Sequence, residues 1–507
     1  MVVLACASAV LATPVAAEER QAPDLQSDVE ALQVENAAMR EQLRRLEEQQ
    51  QALLELVERL QRGPGAASVA AMPEAPMPSA PTEPPGAASV AADVPVTVPA
   101  SFAAQSARNI VDRYQDGIVV WQTPADAEVP FLLKFNVNTQ VRYLNTLDSE
   151  ETFTDHLGVV REVNTRNDIT VNRTMFILGG YIFDPRLRYS STVWTSAGAA
   201  SIVVAGTIGW QFSEGFTLTG GYTGVPGSRS LVDTFPFFTA SDRSMADNFF
   251  RPGFTQGIWA KGEPIEGLSY LAFVGNGLNT LNLAANKIDE NIMYSGSVWW
   301  EPLGDYGEPG KSRNMYDDYF ADDRIRIRLG TAFTRSREDR FSNLDQSSPE
   351  NTSLYNSDGV LTFATGAFAP GVTVEQATYR MWAIDAGLKW RGLAVNGQYF
   401  FRWVDDFEAD GPLPIDSMYD HGFELSASYF VRPRQLAVYG RGSRIDGEFG
   451  DSWEYAAGVK WYFVPTERAW VNGELMRVRD APYSGTFTPY TSGLDGWVPM
   501  LQGILAF

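Results

Sequence analysis

From residue 131 to the C-terminus, apolar and polar residues alternate in short runs, the period of strands with two unlike faces. "FLLKFNVNTQVRY" places Leu133, Phe135, Val137, Val141 and Tyr143 on one face, and Lys134, Asn136, Asn138, Gln140 and Arg142 on the other. "RGLAVNGQYFFRWV" opposes Leu393, Val395, Tyr399, Phe401 and Trp403 to Asn396, Gln398 and Arg402. "DSWEYAAGVKWYF" opposes Trp453, Tyr455, Val459, Trp461 and Phe463 to Glu454, Lys460 and Tyr462. The connections carry a second rhythm. Short turns at 184–187, 213–215, 263–267, 391–393, 431–434 and 464–467 interleave with long polar stretches near 145–168, 225–253, 275–290, 337–376, 405–419 and 480–493. One turn, near 301–321, is longer than the others. About 16 strands, an even number, with short turns at one end and long loops at the other, predict an all-β, antiparallel transmembrane β-barrel over 131–507. A soluble sandwich or solenoid would account for the alternation, but not for this rhythm or for aromatics at the strand ends.

A different period rules residues 24–62. Spacings of four and three run through Leu25, Val29, Leu32, Asn36, Met39, Leu43, Leu46, Gln50, Leu53, Val57 and Leu60. A sustained 3.5 repeat with polar flanks predicts an α-helical coiled coil rather than one helix packed on a core. Asn36 and Gln50 occupy a positions and would fix register, and the heptads allow two strands or three. The rod would be about 54 Å long. Residues 63–108 are Pro/Ala-rich and contain "GAASVAA" twice, at 65–71 and 86–92. Such a segment cannot bury a core and predicts a semi-rigid linker reaching up to roughly 140 Å. Residues 1–17 read as a signal peptide with small residues at its cleavage site, although the usual basic start is missing. The apolar run continues past Cys6, which disfavours a lipid-anchored cysteine. Cleavage after Ala17 would leave a mature chain without cysteine, hence without disulfides.

The net charge of −22 excludes nucleic acid as a natural partner, since phosphate binding needs clustered Lys and Arg. Against that acidity, "DDRIRIRLGTAF" (322–333) alternates Arg324, Arg326 and Arg328 with Ile325, Ile327 and Leu329. An Arg facing lipid at mid-membrane costs about 2–4 kcal/mol, so the aliphatic face should meet lipid and the arginines should face a water-filled lumen. There they either pair with carboxylates on adjacent strands, such as Asp385 or Glu424, or attract an anionic solute. The other lumen-wall candidates are Lys134, Arg142, Arg402, Glu424 and Lys460. The chain ends in "MLQGILAF", with Leu501, Leu505 and Phe507 on one face. A terminal Phe closing an alternating strand is the signal expected for the barrel assembly machinery.

"SDRSMADNFFRPGFTQGIWAKG" (241–262), "VWWEPLGDYGE" (298–308), "AAGVKWYFVP" (456–465) and the first strand "FNVNTQVRY" recur in order and spacing. Through them the barrel resembles the phosphate-selective porin O/P family over most of 131–507. The resemblance implies a homotrimer of 16-stranded outer-membrane barrels, each with its third loop folded inward as a constriction. Here that loop is Val225–Pro252, and its candidate filter is Arg229, Asp233, Asp242, Arg243, Asp247 and Arg251, facing Arg324, Arg326 and Arg328 on the wall. Phosphate itself fits less well: the barrel's full set of lysines is Lys134, Lys261, Lys287, Lys311, Lys389 and Lys460, and acids interleave with the loop's arginines.

No nucleophile, metal or phosphate-loop motif is present, and His156 and His421 are the only histidines. Neither an enzyme nor a cofactor is expected. The run "DDYFADD" (317–323) would suit a divalent cation, but a solvated run is the plainer expectation. The chain is thus expected in the outer membrane of a Gram-negative-type bacterium with its N-terminal arm in the periplasm. It would pass small hydrophilic solutes, anions among them. The rival function is a tether that reaches peptidoglycan or another periplasmic partner through the coiled coil.

Overall fold

The computed structural model describes residues 113–507, except 125, 197–200, 281–287, 308–313, 341–352 and 486. The signal peptide, coiled coil and linker expected at 1–108 lie outside the described residues. In chain order the strands are β1 (Ile118–Gln122), β2 (Phe131–Asn145), β3 (Thr152–Thr154), β4 (Val160–Glu162), β5 (Asn167–Ile182) and β6 (Asp184–Ser196). Next come β7 (Ser201–Ser213), β8 (Phe216–Gly224), β9 (Phe254–Ile265), β10 (Leu268–Gly275), β11 (Met293–Trp300) and β12 (Arg326–Asp339). The last are β13 (Val374–Trp390), β14 (Leu393–Ala409), β15 (Ser417–Arg432), β16 (Leu436–Asp446), β17 (Asp451–Trp461), β18 (Ala469–Arg479) and β19 (Gly496–Ala506).

From β5 each strand pairs antiparallel with the next, and β19 returns to β2 with Leu501 opposite Tyr143. β2 and β5–β19 therefore make a closed ring of sixteen, as the alternation predicts. Closure leaves no ring strand with an open edge, the condition for spanning lipid with β structure. The faces divide as expected. Tyr455, Val459 and Trp461 are about half exposed on the outside, at 49%, 45% and 50%, whereas Glu454 and Lys460 between them are buried at 3% and 2%. Outer aromatics line both ends: Trp390, Tyr429 and Trp461 at the short-turn end, Trp403, Tyr419 and Trp453 at the other. His421 belongs to the second girdle, its Nδ1 lying 2.8 Å from the Tyr399 hydroxyl.

Tight turns need unusual backbone. Arg391 and Gly392 (φ 50° and 87°) form the two-residue link from β13 to β14, a left-handed pair that matches strand twist. Some external connections are shorter than their polarity suggests. β14 runs to Ala409 and β15 starts at Ser417, so the stretch expected at 405–419 is loop only over 410–416. Ladder hydrogen bonds continue past the apolar band because pairing needs backbone, not an apolar face.

Two further pieces frame the seam. The last strand stops before the start of β2: Ala506 opposes Asn138, and Phe507 exchanges both backbone hydrogen bonds with Val137. Below it β1 takes over the same edge of β2, with Ile118 opposite Phe135.

Candidate pore constriction

The third external loop, L3, runs from Val225 to Gly253 between β8 and β9, within a residue of the predicted span. Almost all of it is buried. A buried loop carries peptide groups that cannot reach water, and each needs a partner. L3 supplies only a 3-10 turn (Arg229–Leu231) and one short α-helix, α1 (Met245–Phe250), capped by Ser244 Oγ accepting from Asp247 N at 3.0 Å. The barrel wall supplies the rest. Glu474 accepts from Ser241 N at 3.0 Å, Glu454 from Met245 N at 2.9 Å, and Ser443 Oγ from Ala246 N at 3.2 Å. In the other direction Arg441 donates to the carbonyls of Asp242 and Arg243 at 3.2 and 2.8 Å, and Gln502 donates to Ser241 O at 2.6 Å. Lys460 donates to Phe238 O at 2.6 Å. Acidic and basic wall residues, with Ser443 and Gln502, thus form a rail for the loop, carboxylates taking its N–H groups and cations its carbonyls. Such charge-assisted bonds are roughly twice as strong as neutral ones.

Five of the six predicted loop residues gather there. Asp242 is shared by Arg142 (3.4 Å) and Arg173 (3.3 Å), from β2 and β5. Arg243 lies 3.6 Å from Asp247 and 4.8 Å above the Phe238 ring. Arg229 donates through Nε to Asn314 Oδ1 at 3.1 Å and packs on the Tyr316 and Tyr306 rings at 4.1 and 5.1 Å. Arg251 is buried beside Asn248 Oδ1, 3.3 Å away. Asp233 is the exception, exposed and 3.8 Å from Lys261 on the opposite side. Between L3 and the wall a water-accessible cavity of about 30 Å³ remains, lined by Asp247, Glu424, Ser244, Tyr316 and Arg441 among others. That is room for about two waters.

The arginine row is cut short. β12 begins at Arg326, so Arg324 lies in the preceding turn, its side chain 76% exposed, and does not face the lumen as a wall residue. The turn ends the row because Asp322 folds back on it, accepting from Arg324 N at 2.9 Å and from Arg326 at 2.5 and 3.1 Å. The Arg324 N–H and the Arg326 guanidinium hold the Asp322 carboxyl at about 2. Arg328 is buried, 3.0 Å from Asp385 and 3.3 Å from Glu301, with Trp299 against its guanidinium. Wall and turn carboxylates, not L3, are thus the partners of this row. Ile325 and Leu329 face outward, each 47% exposed.

Of the other wall candidates, Arg402 donates twice to Asp420, at 2.7 and 3.1 Å, and also to Phe249 O and Tyr355 O. Glu424 accepts from Ser244 Oγ at 2.5 Å. Lys134 reaches the carbonyls of Gln115 and Asp116 at the seam rather than L3.

Sequence reasoning missed the rail residues Arg441, Glu474 and Gln502, and Arg173. It also missed that the long turn at 301–325 folds inward. Met315, Tyr316 and Tyr319 are buried there. Tyr316 N donates to Phe237 O at 3.1 Å, and Lys389 donates to the carbonyls of Tyr306 and Met315, both at 2.8 Å. The acidic run within this turn is accordingly solvated only at its far end, where the Asp323 side chain is 86% exposed; its first two acids are buried. Asp317 pairs with Lys460 at 2.6 Å and Asp318 accepts from Gly392 N at 2.6 Å. Among the described residues no group of three acids, histidines or cysteines is placed to hold a metal.

A closed sixteen-strand ring with an apolar outer band and ionised groups inside is an outer-membrane barrel. No family model and no curated protein matches the chain. Solved structures with a similar trace include outer-membrane expressed OmpT of Vibrio cholerae, with TM-score 0.44, 10% identity, and coverage of 76% of this chain and 100% of that one. An anion-selective porin from Comamonas acidovorans has TM-score 0.42, 11% identity and coverage of 74% and 99%. OmpF of Salmonella typhi has TM-score 0.44, 11% identity and coverage of 76% and 100%.

Proposed function

We propose that the chain is a passive porin of the outer membrane, three copies to a trimer, passing small hydrophilic solutes through lumens narrowed by L3. The observation that carries this reading is the burial of L3 inside a closed ring, against a wall of ionised groups. The pairing of those groups supports a weak preference for the sign of an ion. The anion-path reading of the arginine row, and the phosphate-selective family behind it, would need cations free to meet a solute. Arg326 and Arg328 instead hold carboxylates within 2.5–3.3 Å. Reconstitution into planar bilayers under a salt gradient tests this. Conductance steps in threes and a reversal potential near zero are expected. Absence of conductance would sink the porin, and strong anion selectivity that Arg328→Ala abolishes would restore the anion path.

The tether is the second reading, and the seam favours it. Residues 113–117 turn back into β1, where Asp116 pairs with Arg468 at 3.4 Å and Tyr114 lies under the same guanidinium. Gly117 (φ 128°) is pressed against Asn136, leaving no room for a Cβ. A pull on the chain before residue 113 would be borne by both ends of the barrel sheet. Deleting 18–108 separates the roles: a channel keeps conducting, whereas loss of a tether sheds outer-membrane vesicles.

A further inference from the structure

The external ends of the barrel are joined to one another more closely than their ladders require. The first loop, L1, lies between β2 and β5 and carries the β3–β4 hairpin. His156 stands at the turn of that hairpin and reaches across to the loop between β12 and β13, L5. Its backbone N–H donates to Asp358 Oδ2 at 3.0 Å, and its Nδ1 lies 2.5 Å from the same oxygen. The ring stacks on Phe449, 3.9 Å away and 20° from parallel, in the loop between β16 and β17. Both partners are shielded, the imidazole 14% exposed and the carboxylate 6%.

L5 and the last loop, L8 (480–495), are fixed to the wall beneath. Arg402 donates to Tyr355 O at 2.9 Å, and the Tyr490 hydroxyl donates to Glu454 at 2.5 Å. L5 and L8 also hold each other, through Tyr355 Oη to Ser484 O at 3.2 Å. The L1 hairpin is held along its stem instead: Asp148 Oδ2 accepts from Trp497 N at 3.1 Å, Ser149 Oγ accepts from Asp495 N at 3.1 Å, Glu150 N donates to Asp495 O at 3.3 Å and Arg166 donates to Thr488 O at 3.4 Å, with Phe153 against Gly493. Its far side is open, with Val160 66% exposed. A leaf hinged along its stem and held at its tip by one side-chain contact and a ring stack can part from its seat by opening at the tip.

We propose that the L1 hairpin is a lid on the external mouth, latched to L5 by His156 and Asp358, and that solute enters when the latch parts. This rests on the porin reading above. Asp155 and Arg161, on the hairpin itself, are spoken for by each other at 2.8 Å, which leaves Asp358 as the carboxylate that meets the imidazole.

The test uses the full chain, whose single cysteine is Cys6. His156→Cys with Asp358→Cys gives a pair that an oxidant or a short bis-maleimide joins. Joining is expected to cut the current per trimer, and a reductant to restore it for the disulfide form. His156→Ala is expected to raise the open fraction about tenfold, the shift that ~1.4 kcal/mol gives, with heat-modifiable migration on gels confirming the folded barrel. Failure of both reagents to join the pair means the residues are not adjacent in the membrane and overturns the lid. Current in the double-cysteine variant that joining leaves unchanged overturns the lid alone. Absence of current in every variant removes the porin, and the lid with it.

Discussion

The two sides of the barrel wall are built from different chemistry. On β13–β18 the lumen-facing positions carry Asp385, Lys389, Arg402, Asp420, Arg441, Glu454, Lys460 and Glu474, all buried. On β6–β8 the corresponding face carries Arg186 and Arg188 at the short-turn end and otherwise Ser190, Thr192, Val203, Ala205, Thr207, Thr217 and Thr219, aligned through Ser190 opposite Thr207 and Thr219 opposite Trp259. L3, the inward turn and L5 are all bonded to the first side, L3 also to Arg142 on β2, Arg173 on β5 and Gln502 on β19. The contrast shows that the charges are there for the loops. A hydroxyl wall gives a peptide segment single, neutral hydrogen bonds, each worth about 0.5–1.5 kcal/mol net, and a charged wall gives about 1.5–3 kcal/mol. Irregular backbone can be held inside a barrel only where the stronger kind is available.

The sharpest break of this contrast is Asp420→Ala. It would leave Arg402 buried without its carboxylate while L5 and α1 still lean on it. Removing one partner of such a pair costs about 3–5 kcal/mol. We expect the variant to lose heat-modifiable migration at a clearly lower temperature than the wild type. An unchanged transition would mean that Arg402 finds another anion and that the rail is redundant.

A smaller effect is expected for Glu474→Gln, which keeps the shape but gives up the charge that accepts from Ser241 N, Arg441 and Tyr439 Oη. The cost is about 1.5–3 kcal/mol, and because the carboxylate steers the middle of L3, single-channel conductance should change with stability. Stability lost at constant conductance would show that L3 keeps its course without this contact.

How far these features could be read from the chain follows from the same contrast. The ring, its faces and the ends of L3 were legible because each repeats a local rule: period two, short turn, long loop. The wall charges were legible as lumen-facing, as at Lys460 and Arg402, but not as a rail. Which loop atom Glu474 or Arg441 meets depends on cross-strand register, and a slip of one residue reverses every side chain. The inward turn was hidden for another reason. "DDYFADD" has the polarity of a solvated run, and only Lys460, more than a hundred residues away, makes Asp317 a buried partner.

On the hydroxyl side, Thr207→Val removes the 2.8 Å contact with Ser190 Oγ and nothing ionised. About 1 kcal/mol or less is expected, with conductance for small salts unchanged. A loss comparable to that of Asp420→Ala would erase the contrast between the two sides.

The smallest effect should fall on Arg324→Ala, and it tests the contrast along a single row. Arg324, Arg326 and Arg328 pass from exposed turn to buried wall within five residues, their side chains 76%, 12% and 2% exposed. If cations matter here by holding carboxylates, their weight should follow that gradient. Arg328→Ala would strand Asp385 and Glu301, whereas Arg324→Ala would release one exposed 3.5 Å contact to Asp322, worth at most about 0.5 kcal/mol. Melting should not register the second change, and neither should the reversal potential. A reversal potential that moved with Arg324 while stability did not would assign this exposed cation to the path of ions, and would make the outer end of the row, rather than its buried end, the part that acts on solutes.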